Sequence, residues 1–297
     1  MRNNKHLKAA KRAKNDEFYT LYEDIEKEMK YYIQHFENKI IYCNCDDYNK
    51  SNFFKYFHDN FNQFKLKKLI TTSYNENGNG LYSEYDGKTL ITGELKSNGS
   101  FKSEESIEYL KQCDIVVTNP PFSLFREYIK MLFDFNKKFC ILSNINAITY
   151  KDVFSHIKNG EVWLGYNFNI ILNFITSNGN KTMNICWFTN IENNKEQDTI
   201  SLIKTYNPTD YPTYDNYDAI NVTNTKDIPY DYDGVIGVPI TALKYLYSDG
   251  LLHFDTPMRE RERERRYELV KFRKGNDDKD LSINGKTPYF RVLIKSI

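Results

Sequence analysis

Residues 114–129 read DIVVTNPPFSLFREYI and carry the clearest fold signal in the chain. Residues 114–118 are a short apolar run that predicts a buried strand, and residues 124–133 have the spacing of a helix. Between them, Pro120 and Pro121 lack the backbone N–H groups that a continuing strand would need. A buried strand followed directly by a helix is the unit from which parallel sheets covered by helices are built.

The same alternation continues outward from this stretch in both directions. Strands are predicted at 39–43, 68–72, 89–92, 139–143, 161–165 and 183–188, and helices at 22–36, 51–61 and 104–112. The helix at 51–61 places Phe53, Phe54, Phe57 and Phe61 inward, and Ser103 is a candidate N-cap for the helix that follows it. The sequence therefore predicts an α/β fold with a mostly parallel sheet and helices on both faces.

Beyond about residue 190 the alternation ends. Residues 207–233 are rich in Tyr, Asn, Asp and Pro, and short strand-like pieces follow, such as 289–294. We expect a domain boundary here, with a catalytic domain at 1–190 and a smaller C-terminal region at 191–297. A chain of 297 residues suits this division.

Composition excludes several classes of protein. The 41 Lys and Arg residues nearly cancel 40 Asp and Glu, so any nucleic-acid surface must be local. No apolar run approaches the ~20 residues of a membrane helix, and none follows the basic start of the chain, which favours a cytoplasmic protein. Five cysteines without a CxxC pair and five scattered histidines favour neither a disulfide framework nor a metal site.

Ligands of open α/β sheets bind beyond the carboxyl ends of the strands, which directs attention to Asn119, Pro120, Pro121 and Phe122. An amide, two prolines and an aromatic residue in this order are typical of methyltransferases that act on amino groups. The exocyclic amine of a base is a poor nucleophile, because its lone pair is delocalised into the ring. If the Asn119 oxygen and the Pro120 carbonyl accept its N–H groups, the lone pair can turn toward an electrophilic methyl group.

The Phe122 ring offers a face on which an extruded base can stack. The alternative for this tetrapeptide is a proline turn that merely ends a strand. Such a tetrapeptide arises by chance in roughly one chain in a hundred, which favours the catalytic interpretation.

The first predicted strand is followed by polar residues that suit a cofactor. A carboxylate at this place can bind the ammonium group of S-adenosylmethionine (SAM). The candidates are Cys43, Asn44, Cys45, Asp46 and Asp47, and the sequence does not rank the two aspartates. Since no glycine-rich turn is present, a polar loop with helix-capping acids is an equal alternative.

Seven segments, taken together, resemble the EcoRI-type adenine-specific DNA methyltransferases. They are NDEFYTLYEDIEKE (15–28), IYCNCDD (41–47), DIVVTNPPFSLFREYI (114–129), VWLGYNFN (162–169), CWFTNI (186–191), YDNYDAINVTNTKDIPYDYDGVIGVPIT (214–241) and SINGKTPYFRVLIK (282–295). They occur in order and span nearly the whole chain, which makes them far more specific than NPPF alone.

The resemblance implies SAM-dependent methylation of adenine N6 on a Rossmann-like seven-stranded sheet with a closing antiparallel strand. It implies that Phe18, Tyr19 and Thr20 flank the methionine part of SAM, that 43–47 is the cofactor loop, and that 119–122 is the catalytic loop, with Asn119 also touching the cofactor. Two departures stand out. Leu21 stands where many related enzymes carry a proline, and Ser100 stands where an acid that contacts the cofactor adenine is expected. Asp86 and Glu94 are the alternatives for that acid.

Three further segments have two interpretations each. The run RERERERR (259–266) is either a solvated loop, which we favour, or a phosphate-contacting arm. The tyrosines of 206–232 either stack on bases or, as we favour, support the fold. The basic residues of 2–14 are either a solvated tail or a phosphate contact.

The function predicted is that of a site-specific adenine-N6 DNA methyltransferase that uses SAM and no metal. Its partners would be double-stranded DNA and, in a restriction–modification system, a cognate restriction endonuclease; no membrane partner is expected, and we expect a monomer. Basic residues late in the chain would contact DNA: 259–266, Arg273, Lys274, Lys286 and Arg291. The alternatives are an RNA or protein-glutamine methyltransferase, and a degenerate SAM- or DNA-binding protein without activity.

Overall fold

A computed structural model describes residues 20–168, 170–176, 179–192, 200–247, 249–256, 264–273, 281–286 and 290–297. The chain forms two compact units. Unit 1 comprises residues 1–147 and 165–193, and unit 2 comprises residues 148–164 and 194–297. Residues 148–164 thus belong to unit 2, although they precede the boundary expected near residue 190.

Unit 1 carries the alternating elements that the sequence predicts. Its helices are α1 (Tyr22–Met29), α2 (Asn52–Asp59), α3 (Glu104–Gln112) and α4 (Phe125–Asp134). Its strands are β1 (Ile40–Cys43), β2 (Lys68–Ser73), β3 (Leu81–Tyr85), β4 (Leu90–Glu94), β5 (Ile115–Thr118), β6 (Lys138–Asn144), β8 (Ile170–Thr176) and β9 (Gly179–Thr189). Unit 2 contributes β7 (Trp163–Leu164) between β6 and β8 in chain order.

The strands of unit 1 follow the order β4-β3-β2-β1-β5-β6-β9, with β8 paired to β9. The central strands β2, β1, β5 and β6 are parallel, whereas β3, β4, β8 and β9 pair antiparallel to their neighbours. The α/β class is confirmed, and β9 runs antiparallel to β6 as the resemblance implies. A mostly parallel sheet, however, describes only its centre.

The physical reason for the antiparallel edge is the length of two connections. Residues 74–80 between β2 and β3 are too few for the crossover that a parallel strand requires. The turn between β3 and β4 contains Asp86 and Gly87, and Gly87 has a φ of 92°. An Asp-Gly pair between short strands is a hairpin signal that the sequence prediction did not use.

Two serines cap helices as expected. Ser51 Oγ accepts hydrogen bonds from the backbone N–H groups of Phe53 and Phe54, and Ser103 Oγ accepts one from Ser106. The helix predicted at 22–36 ends at Met29, and a 3-10 turn at Ile33–His35 continues the segment. The core of unit 1 still receives its apolar residues, because Ile25, Met29, Tyr32 and Phe36 are all buried.

Unit 2 is built on a six-stranded sheet in the order β10-β11-β12-β15-β14-β13. Besides α5 (Lys151–Lys158), its elements are β10 (Thr213–Tyr214), β11 (Tyr217–Asn221), β12 (Ile236–Pro239), β13 (Leu251–Asp255), β14 (Glu264–Arg273) and β15 (Arg291–Ser296). Four of the five strand pairs are antiparallel, and only β11 and β12 run parallel.

Unit 2 bears on two alternatives left by the sequence. Residues 264–266 of the charged run begin β14, so the solvated-loop prediction is wrong for them, while 259–263 lie outside the described residues. Tyr211 and Tyr214 are buried, which agrees with structural tyrosines.

Within the part of the chain that the structure describes, no helix is both long and apolar enough to cross a membrane.

Candidate functional site

A cavity of about 760 Å³ opens at the carboxyl ends of β1, β2 and β5. Its lining includes most of the residues that the sequence singled out: Thr20, Asn44, Cys45, Asp46, Asp47, Asn119 and Pro121. The volume lies in the range of pockets that bind small molecules and cofactors. Adjacent parallel strands bring these distant residues together, since their carboxyl ends meet at one edge of the sheet.

Asp46 holds three elements of this edge in place. One carboxylate oxygen accepts a hydrogen bond from Ser51 Oγ at the start of α2, at 2.6 Å, and the other accepts one from Thr118 Oγ1 at the end of β5. Its backbone N–H donates to the Thr72 carbonyl of β2 at 2.9 Å. Both carboxylate oxygens of this buried residue therefore have partners inside the protein.

Asp47 is more open. One carboxylate oxygen accepts the backbone N–H of Asn49 at 2.9 Å, and the other lies 3.7 Å from the Lys50 ammonium. The Asp47 side chain remains 24% exposed at the cavity. Of the two carboxylates that the sequence could not rank, Asp47 is thus the one better placed to meet a ligand.

The predicted catalytic loop begins where β5 ends. Asn119 Nδ2 donates to Thr20 Oγ1 at 3.4 Å, and the Thr20 carbonyl accepts a hydrogen bond from Asn52 Nδ2 at 2.8 Å. These contacts connect Thr20 to both β5 and α2. Phe18 and Tyr19, predicted beside Thr20 in the site, lie outside the described residues.

Three predicted site residues are turned away from the cavity. Pro120 is buried, and neither it nor Phe122 nor Cys43 belongs to the cavity lining. Phe122 is 2% exposed and Cys43 is fully buried, both within the apolar core of unit 1. Burial also raises the pKa of the Cys43 thiol well above its usual value. At this position the Cys43 thiol does not contact a ligand in the cavity. A base could stack on Phe122 only if the ring left the core.

The loop after β4 completes the cavity. Asn98, Gly99, Ser100 and Phe101 line it, and Gly99 has a φ of 72°. A Cβ at Gly99 would lie 2.0 Å from the Ser73 carbonyl oxygen, so only glycine allows this approach to the end of β2.

The acid that lines this part of the cavity, Glu76, was not among the sequence-based candidates. Glu76, in the loop after β2, lines the cavity, whereas Asp86 and Glu94 do not. Asp86 instead accepts the backbone N–H groups of Lys88 and Thr89 in the β3–β4 turn, which lowers the pKa of its carboxyl. The rule that ligands bind after the strands could have found Glu76, since it lies three residues beyond Ser73.

A second buried acid supports unit 1 away from the cavity. Glu28 of α1 accepts the backbone N–H groups of Tyr166 and Asn167 at 2.8 and 2.7 Å, and also the Tyr32 hydroxyl at 2.9 Å. It is fully buried, and loss of hydration raises the pKa of its carboxyl, while these hydrogen bonds act in the opposite direction. Glu28 therefore fixes the segment that leads into β8.

Comparison with known proteins points in the same direction as this geometry. The family described as adenine-specific methyltransferase EcoRI matches residues 6–92 and 82–297. The type II methyltransferase M.EcoRI of Escherichia coli is 47% identical, over 99% of this chain and 97% of its own length. The type II methyltransferase M.MgeORF184P of Mycoplasma genitalium is 39% identical over 98% of both chains.

A third relative, the type II methyltransferase M.MpnI of Mycoplasma pneumoniae, is 39% identical over 80% of this chain and 81% of its own length. Solved structures gave no match. With a family match across nearly all of its length and relatives this similar, the chain belongs to the EcoRI family of adenine-specific methyltransferases.

Proposed function

We propose that this chain is a DNA adenine methyltransferase that transfers a methyl group from SAM to N6 of an adenine flipped out of the duplex. The observation that carries the proposal is the placement of Asn119 directly after β5, at a cofactor-sized cavity. Family membership and type II methyltransferase relatives support DNA as the substrate.

The residues around the cavity fit SAM. Asp47 offers a carboxylate for an ammonium group, and Glu76 offers one for ribose hydroxyls. Asn44 Nδ2 is a buried donor without an acceptor among the described residues, as expected of a group that meets a ligand. When bound, SAM supplies a methyl carbon that its sulfonium makes electrophilic.

The chain contributes positioning and polarisation. The Asn119 side-chain oxygen and the Pro120 carbonyl would accept the two N–H groups of the adenine amine and direct its lone pair toward the methyl group. Pro121 supports this geometry, since it adds no competing N–H and fixes the backbone at the start of the 3-10 turn Phe122–Leu124. Asn119 is not a strong base, so the amine proton leaves to solvent after transfer.

Unit 2 is the proposed DNA-reading region, but fewer of its basic residues are available than the sequence suggests. Arg291 is 8% exposed and donates from Nε to Asn221 Oδ1, and Arg265 pairs with Asp233. Arg266 and Lys286 are exposed. Arg259, Arg261, Arg263 and Lys274 lie outside the described residues, and only the backbone of Arg273 is described.

The test incubates the full chain with tritiated SAM and separate pools of duplex DNA, RNA and protein. We expect label in DNA, recovered as N6-methyladenine after digestion, and at least ~10²-fold slower labelling when Asn119→Ala replaces the wild type. Label in RNA or in protein glutamine would support the alternative substrates. SAM binding without any transfer would support a degenerate protein.

The type II relatives also favour a role in restriction–modification. We expect the enzyme to act on DNA as a monomer, and we expect a cognate endonuclease in the same restriction–modification system. Sedimentation of the chain with and without a duplex containing its site tests the first point. The existence of a cognate endonuclease is tested by asking whether modified DNA is protected from a nuclease whose gene neighbours the gene of this chain.

A further inference from the structure

The amide of Asn44 is held in a single orientation at the cavity. Asn44 is 1% exposed and follows directly after β1. Its Oδ1 accepts a hydrogen bond from the Tyr128 hydroxyl and a long one from the Cys45 thiol, at 3.8 Å. With Oδ1 occupied by these two donors, Nδ2 is the end of the amide that is left for another partner.

Nδ2 is buried and donates to no acceptor within the described part of the chain. More than nine in ten buried polar groups in folded proteins have a partner, so such a donor needs an explanation. Asn44 belongs to the lining of the cavity together with Asp47 and Asn119. An acceptor on a ligand in this cavity would satisfy it.

Tyr128 gives the amide its orientation from outside the cavity. It lies on α4, is fully buried and is not part of the lining. Its ring packs edge-on against Phe101, with centroids 5.1 Å apart and planes at 74°, and Phe101 does line the cavity. Burial raises the pKa of the Tyr128 hydroxyl well above its usual value, so the hydroxyl keeps its proton and remains a donor.

We infer that Asn44 Nδ2 donates a hydrogen bond to an acceptor atom of the bound cofactor, and that Tyr128 is the positioning residue that turns the amide toward it. The inference rests on the proposed SAM-dependent function. It assigns a role in cofactor binding to a buried tyrosine 84 residues away in sequence. The acceptor lies either on the amino-acid part of the cofactor, where the carboxylate is, or on the nucleoside.

Calorimetry with the full chain tests this with two ligands, S-adenosylhomocysteine and 5′-methylthioadenosine, the second of which lacks the amino-acid carboxylate. We expect Asn44→Ala to weaken binding of S-adenosylhomocysteine about five- to tenfold, the scale of one hydrogen bond. Equal weakening of both ligands places the acceptor on the nucleoside. Weakening of S-adenosylhomocysteine alone places it on the amino-acid part. No weakening of either overturns the inference.

The role of Tyr128 is tested by a double-mutant cycle. Tyr128→Phe should weaken S-adenosylhomocysteine binding in the wild-type background and have no further effect in Asn44→Ala, because it acts through that amide. An equal loss in both backgrounds would mean that Tyr128 is merely structural. Tyr42→Phe is the matched control: this buried hydroxyl pairs with Thr72 Oγ1 at 2.7 Å and the Ser106 carbonyl at 3.3 Å, and should leave affinity unchanged.

Thermal unfolding of each variant without ligand separates binding from folding. If Asn44→Ala is unfolded, Asn44→Asp takes its place. This variant keeps the shape of the side chain, replaces the donor with an acceptor and should weaken binding at least as much. A wild-type chain that binds neither ligand would refute the proposed cofactor. Normal wild-type binding with unchanged variants would refute only the role of Asn44.

Discussion

At the scale of single residues, Asn119 and Asp46 both follow a strand and line the same cavity, yet their contacts differ. The Asn119 side chain donates a long hydrogen bond from Nδ2 to Thr20 Oγ1, at 3.4 Å. Asp46, by contrast, binds Ser51 and Thr118 through separate oxygens. We therefore expect substitutions of Asn119 to affect catalysis and substitutions of Asp46 to affect folding.

Asn119→Ala should reduce methylation by at least ~10²-fold, because it removes an acceptor that acts in the transition state. Folding and SAM affinity should change little. Asn119→Asp should retain more activity than Asn119→Ala, since a carboxylate oxygen can still accept an N–H of the amine. Single-turnover methylation rates measure this effect, and wild-type turnover in Asn119→Ala would exclude the polarising role.

The two aspartates should separate in a paired experiment. Asp46→Ala should lower the free energy of unfolding by about 2–3 kcal/mol, since hydrogen bonds to a charged group are lost in a buried place. Asp47→Ala should leave stability nearly unchanged and weaken SAM binding. Urea unfolding and calorimetry on both variants measure these effects, and the reverse pattern would make Asp46 the cofactor carboxylate.

At the scale of elements, the loop that lines the cavity through residues 98–101 depends on the first turn of α3. The carboxylate of Glu105 accepts the backbone N–H groups of Lys96 and Ser97, each at 2.9 Å. The bond from the Lys96 backbone is the main reason that the pKa of Glu105 is lowered. Helix α3 thus fixes the backbone of the two residues that precede Asn98 and Gly99.

Glu105→Ala should release this loop, speed amide exchange at Lys96 and Ser97, and weaken SAM binding a few-fold. Because the folded-state pKa of Glu105 lies below its unfolded value of about 4.3, the stabilisation is fully present above that pH. It is lost as the pH falls through the lowered pKa. Hydrogen exchange near neutral pH measures the release, and Glu104→Ala, which changes the adjacent exposed carboxylate, is the control. Identical exchange in both variants would show that Glu105 does not hold the loop.

At the scale of the whole molecule, the two units interleave in sequence. Helix α5 belongs to unit 2, where its Val153 and Ile157 are fully buried and Lys158 Nζ donates to the Val270 carbonyl at 3.0 Å. A chain that ends at residue 193 keeps residues 148–164, with α5 and β7, but loses the rest of unit 2. Truncation is therefore a poor way to separate catalysis from DNA reading.

We expect a 1–193 fragment to expose the apolar face of α5 and to bind a hydrophobic dye that the full chain does not bind. The same fragment carrying Val153→Ser and Ile157→Ser should bind less dye, which identifies α5 as the source. A fragment that is monomeric, binds no dye and methylates the full-length site at full rate would contradict both the division into units and the proposed role of unit 2.

DNA contacts are better tested by single charges. If Arg266 and Lys286 each contact a phosphate, Arg266→Ala and Lys286→Ala should each reduce the slope of log affinity against log salt concentration by about 1. Arg265, which pairs with Asp233, is the matched control, and its substitution should alter stability rather than the slope. Titrations at several salt concentrations measure this, and unchanged slopes in both variants would move the phosphate contacts elsewhere.

Local sequence patterns were enough to predict the elements at the centre of unit 1 and to single out the proposed catalytic residue. Strands β1, β2, β5 and β6 could be predicted, because continuous apolar runs between helical patterns are local signals. Asn119 at the carboxyl end of β5 followed from the tetrapeptide and the preceding strand alone. The order of the segments along the chain was enough to identify the family.

The neighbours of these residues, in contrast, depend on how the chain folds in three dimensions. Asp46 and Asp47 are adjacent in sequence, and their difference depends on Thr118, 72 residues from Asp46. The pairing of Asn44 with Tyr128, the burial of Phe122 and Cys43 in the core, and the presence of Glu76 at the cavity all depend on how strands are ordered in the sheet. A local pattern carries no information about contacts made across 70 or more residues, because those contacts exist only once β1, β2 and β5 lie side by side.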